Sequence, residues 1–169
     1  METSKFHQLC KAYDNAQTNF ENYKTDCHTF SIEFVKEIKT YYEVPDSQFS
    51  LYRIDPQQGF DLVQSALIHA IRLEQDHFWH FGIGLTVCKA PETLPEELIL
   101  AHLMFRKNSN GNFSVKSAHM KKEFEVIKGD SKSYTPFLDA LFESIITSYN
   151  NQLQQFLKAK TTRKLGFQR

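Results

Sequence analysis

The residues of this chain with the most chemical capacity are its histidines and cysteines. His77 and His80 flank Phe78-Trp79, three positions apart. Imidazole nitrogens are good ligands for zinc and copper, so the pair invites a metal. Residues three apart on a strand point to opposite faces and cannot chelate one ion together. His80 and His102 are better matched, because two paired strands can bring both to one sheet face, where a structural or surface role is expected. His7 and Cys10 stand at the helical spacing of a zinc half-site. No second matched pair of ligands accompanies them. Cys10 also falls in an apolar stripe, where it is expected to act as a core residue, like Cys27. Cys10, Cys27 and Cys88 are odd in number and form no C-x-x-C. They are expected to be free thiols in a reducing, cytoplasmic setting. Neither a metal nor a cofactor is expected.

Other candidate chemistry is weaker. Gly82-Ile83-Gly84 resembles part of a phosphate-binding glycine loop, but such a loop opens a helix. Here the glycines sit inside an alternating strand pattern. They are expected to mark a bulge, or the close approach of a helix over two missing side chains. Arg72 and His77 match the loose spacing of a helical ribonuclease motif, in a chain with a clear β half. No G-x-S-x-G, H-E-x-x-H, Walker A or paired-carboxylate motif is present.

Charge is the sharpest feature. Residues 1–105 carry 8 Lys and Arg against 15 Asp and Glu, and residues 106–169 carry 12 against 5. The two parts are therefore about −7 and +7 by subtraction, in a chain that is neutral overall. The positive charge gathers in two places. Arg106, Lys107, Lys116, Lys121 and Lys122 lie around a predicted hairpin, and Lys158, Lys160, Arg163, Lys164 and Arg169 lie near the C-terminus. Such residues, with aromatic neighbours, could engage phosphates and stack bases. They could equally dock on an acidic surface of the same or a second chain.

The elements that must position these residues read as α+β. Residues 1–44 contain neither Gly nor Pro. Phe6, Cys10, Tyr13, Ala16, Phe20, Tyr23, Cys27, Phe30, Phe34, Ile38 and Tyr41 fall at steps of three and four, one face of a helix from about residue 4 to 43. Forty residues would span roughly 60 Å, too long for a compact domain of this size. Either the helix breaks within residues 25–29, where poor helix formers cluster, or part of it projects. Phe49 to Ile54 alternates as a strand. Asp55-Pro56-Gln57-Gln58 then predicts a helix start, with a helix to about Glu74; the rival reading makes the segment from Ala66 a strand. From His77 the period is two, with Trp79, Phe81, Ile83, Leu85 and Val87 on one face. A second strand follows at Leu98–Arg106, then a hairpin signal at Asn110-Gly111, a return strand from Phe113 and a short strand near Glu123–Val126. Thr135-Pro136 is read as the start of a last helix with the stripe Phe137, Leu141, Ile145, Tyr149, Leu153 and Phe156. The expectation is a central antiparallel β-meander of three to five strands, flanked by a long N-terminal helix and a C-terminal helix. Residues 1–160 are read as one domain and 161–169 as a basic C-terminal tail.

No apolar run reaches the roughly 18 residues of a membrane-spanning helix, and METSKFHQLCKAYDN lacks the apolar core of a signal peptide. A cytoplasmic protein is expected. The pattern as a whole points to a non-enzymatic protein–protein interaction module, self-associating or an accessory component of a larger assembly. Tyr13, Phe20, Tyr23, Phe30 and Phe34 are the expected contact or core surface. The alternative is a nucleic-acid-binding accessory protein that uses the basic residues.

Overall fold

A computed structural model describes residues 3–90, 93–158 and 167–168. It is α+β, as expected: helices at either end and an antiparallel sheet between them.

Helix α1 runs unbroken over Lys5–Tyr42. Ser4 caps it, its hydroxyl accepting from the His7 N–H at 3.2 Å. Glu43 ends it in the left-handed conformation, with Pro45 close behind. The break considered near residues 25–29 does not occur. The hydroxyls of Thr25 and Thr29 donate to the carbonyls four residues back, at 3.0 and 2.9 Å, and so remain inside the helix. Burial of Cys27 and Phe30 adds a tertiary gain that outweighs weak local propensity.

Strand β1 (Phe49–Asp55) lies where a strand is predicted and pairs as a hairpin with β2 (Gly59–Val63), which lies where the helix from Asp55 is predicted. Asp55 does cap, but it caps a turn. Its carboxylate accepts from the N–H groups of Gln57 and Gln58, at 2.7 and 3.0 Å, which also hold it below the usual carboxylate range. Gly59, at φ +80°, then turns the chain back into β2. Leu67–His69 is a single 3₁₀ turn, and Arg72–Leu73 is a short strand, β3.

The sheet runs β2-β1-β4-β5-β6-β7, with β4 at Trp79–Cys88, β5 at Glu96–Lys107, β6 at Phe113–Ser117 and β7 at Phe124–Val126. β3 extends the edge beside Trp79 and His80, and β8 (Phe167–Gln168) pairs with Leu98 and Ile99 of β5. The strand count thus exceeds the predicted three to five, chiefly because β2 and β3 occupy the expected helix. Helix α2 (Ser131–Asn150) begins four residues before Thr135, capped by Asp130, so Pro136 lies inside it. A short α3 (Gln152–Lys158) follows.

One sheet face carries the core. Trp79, Phe81, Ile83, Ala101, Leu103, Phe105, Phe113 and Val115 meet the second half of α1 and the start of α2. Phe30 stacks flat on Phe113, ring centroids 3.8 Å apart, and Phe34 meets Phe81 edge-on at 5.8 Å. From α2 come Tyr134, Phe137, Leu138 and Leu141.

Candidate functional site

The first half of α1 touches none of this core. Every residue from Thr3 to Asn22 is exposed, a helical overhang of about 27 Å at ~1.5 Å per residue. Its stripe stays apolar: Phe6 is 72% exposed, Leu9 68%, Tyr13 68% and Phe20 48%. The five residues expected to form the contact or core surface therefore divide. Phe30 and Phe34 are fully buried, Tyr23 sits at the boundary, and Tyr13 and Phe20 face solvent. Tyr23 receives the Trp79 indole N–H at 3.4 Å and stacks against Phe20 at 6.0 Å. Leu9 belongs to the free stripe and was not among the predicted contact residues. The signal for it was present: Leu9 lies three residues after Phe6, where Cys10 lies four. Cys10 is exposed rather than in the core, whereas Cys27 is buried; all three cysteines are free thiols.

The other sheet face carries a histidine relay. His80 pairs in register with Met104, and His102 with Gly82, which puts the two imidazoles diagonally on one face. His80 Nδ1 lies 2.7 Å from His102 Nε2, and His80 Nε2 lies 2.9 Å from the Asp76 carboxylate. The carboxylate only accepts, so His80 carries its proton on Nε2 and shares one further proton with His102. Burial, then the neighbouring His80 and His119, push His102 down to about 4. Burial acts to raise Asp76, but hydrogen bonds from the Phe78 N–H and His80 outweigh it and hold the carboxyl below its ordinary value. Asp76 escaped the sequence reading because a turn aims it, with His77 at φ +66°. Among the described residues the relay ends on His102, and no hydroxyl or thiol hydrogen-bonds to either ring. The three side chains thus form one hydrogen-bonded chain from Asp76 through His80 to His102. Among the described residues no group of three or more His, Cys, Asp or Glu side chains is arranged to hold a metal.

The two glycines of β4 lie on this face beneath aromatic rings, not beneath a helix. A Cβ on Gly82 would meet the Phe60 ring at 2.8 Å, and one on Gly84 would meet Tyr52 Cε2 at 2.7 Å. Neither glycine opens a helix or faces one, so the phosphate-loop reading has no geometry behind it.

The basic residues are dispersed and partly neutralised. Lys107 binds Asp26 at 2.6 Å, and Arg106 binds Glu123 at 3.1 Å while covering the Phe78 ring. Lys116 also lies over Phe78, and Lys122 over Phe124. Lys121 and Lys122 rim a cleft of about 670 Å³ between α2 and the β5–β7 region, with apolar walls that include Ile99, Met120 and Leu141. The side chains of Lys158, Lys160, Arg163, Lys164 and Arg169 lie outside the described residues.

Comparison with protein-family models, with curated proteins and with solved structures finds no match to this chain. Among the described residues no helix is long and apolar enough to cross a membrane.

Proposed function

We propose that this chain is a non-enzymatic protein–protein interaction module whose contact surface is the free half of α1. The observation that carries the reading is the exposed stripe of Phe6, Leu9, Tyr13 and Phe20 on a helix end that nothing among the described residues covers. Contiguous apolar surface on a helix marks a place where something docks. An unsupported helical segment of this length is also marginal in water, so a partner that covered it would stabilise the helix as well. The three free cysteines support action in a reducing, cytoplasmic setting.

A photo-crosslinking residue placed at Tyr13 should trap a protein partner in cells, while the same residue at Thr18, off the stripe, should not. Equal trapping at both positions, or none at either, would overturn the reading.

A second reading, polyanion binding by the basic residues, is favoured by the +7 of residues 106–169. It ranks below the first because Lys107 and Arg106 already have carboxylate partners. Binding to a generic RNA fragment that weakened steeply with salt would promote it.

A further inference from the structure

We infer that the occupant of the free stripe is the same stripe of a second copy, running antiparallel, so that two chains pair through their projecting helices. This rests on the interaction reading and names its partner.

The first argument is the repeat. Phe6, Tyr13 and Phe20 recur every seven residues, with Leu9, Ala16 and Tyr23 three residues after each. A straight α-helix has 3.6 residues per turn and drifts away from such a line. A spacing of 3.5 is the one that two coiled helices keep on a shared seam, a straight helix drifting by ~20° per heptad. The same line continues into Cys27, Phe30 and Phe34, which the chain's own sheet and α2 cover. The free half thus has the pattern that a second helix fits.

The second argument is steric. Beyond Tyr23 the body of the domain fills the seam. In a parallel pair both bodies would claim the same stretch of seam. An antiparallel pair sets them at opposite ends, and its two-fold axis makes the contact self-complementary.

The third is the register that results. Centring the overlap between Tyr13 and Ala16 sets Tyr13 against Ala16 of the second copy, Leu9 against Phe20, and Phe6 against Tyr23. Tyr13 then meets a small side chain at the centre, and the outer pairs set large apolar side chains against each other. The flanking positions Cys10, Ala12, Gln17 and Asn19 carry no charge, so like copies do not repel there. At each end Lys5 comes level with Lys24 of the second copy but flanks the seam on the side of its Asp26, two residues further along. Asp26 is still 46% exposed although it binds Lys107, so it can take a second cation. Lys11, Asp14 and Glu21 fall on the outer face. The overlap is only about 27 Å long, so pairing should depend on concentration.

Solution mass across a dilution series tests this on the full chain. The parent should approach twice 19.8 kDa at the concentrated end. Tyr13→Glu and Phe20→Glu should each run at 19.8 kDa throughout, with Trp79 emission still blue-shifted as in the parent, because these side chains lie outside the core. Lys5→Glu should shift the midpoint of the series to higher concentration. Spin labels at Thr3→Cys, in a Cys10→Ser background, should lie about 35 Å apart, against about 10 Å for a parallel pair. A parent dimer indifferent to Tyr13→Glu, or the short label distance, would overturn the proposal. A parent of 19.8 kDa at every concentration would overturn it too. In that last case a foreign protein trapped at Tyr13 would leave the interaction reading standing, and an empty trap would remove both.

Discussion

At the scale of single residues, the second sheet face is tuned by packing and by charge. Gly84 lies where a methyl group would fall against Ser50 Oγ, Tyr52 and Leu98. Gly84→Ala should therefore cost ~1–3 kcal/mol through overpacking, read from urea unfolding. Trp79 is 5% exposed between α1 and the sheet. Trp79→Ala should cost ~3–5 kcal/mol, and native emission should be blue-shifted. His102 titrates near 4 in the fold, against about 6.5 when unfolded. Between those values the unfolded chain holds the proton and the folded chain does not. Stability should therefore rise with pH across that window and be lost as pH falls through it. Urea midpoints measured at a series of pH values should show that slope, and His102→Gln should flatten it. Strand periodicity allowed His80 and His102 to share a face, but parity holds within one strand, and the β4–β5 register decides the match. Asp76 was not, since its aim depends on a left-handed backbone at His77 that the residue type does not announce.

At the scale of elements, periodicity revealed faces but not what covers them. The stripe of α1 reads the same from Phe6 to Tyr41, yet only its later part meets the sheet. Spacing encodes amphipathicity, and the partner of a face is a property of the whole fold. The β1–β2 hairpin was misread for a related reason. An Asp-Pro-Gln-Gln segment supplies side-chain acceptors and a fixed φ that suit a helix start and a turn equally. The pairing of Ile54 with Phe60 decides the matter, and that pairing is not local to the signal. At the second helix, Thr135-Pro136 resembled a start because proline favours first turns, but Asp130 supplies the cap. Hydrogen exchange should expose the unequal support of α1. In the Tyr13→Glu chain, amides of residues 8–20 should exchange far faster than those of residues 30–38, because only the second set is locked under aromatic packing. Uniform protection along α1 would mean the overhang has support beyond what its own chain provides.

At the scale of the whole molecule, one ion pair and two hydrogen bonds tie the acidic part to the basic part. Asp26 of the acidic part binds Lys107 of the basic part, Glu33 accepts from the Gly129 N–H, and Glu37 accepts from the Ser131 hydroxyl. The long first helix is thereby tied both to the β5–β6 hairpin and to the start of α2. Such cross-ties favour one cooperative unit. Thermal unfolding followed by Trp79 emission and by far-ultraviolet circular dichroism should give coincident transitions, and separated transitions would show two units instead. The unbroken run of α1 has a mechanical meaning too. A stiff rod of 38 residues is clamped along one half by Phe30 and Phe34 and free along the other. Its fulcrum is Tyr23, the residue that receives the Trp79 indole N–H. Whatever grips the tip acts on a lever arm of about 27 Å, and the first core contact to feel the torque is the one that holds the chain's single tryptophan. A grip on the free end should therefore change the intensity of Trp79 emission while leaving its colour that of a buried indole, and fluorescence across the dilution series checks it.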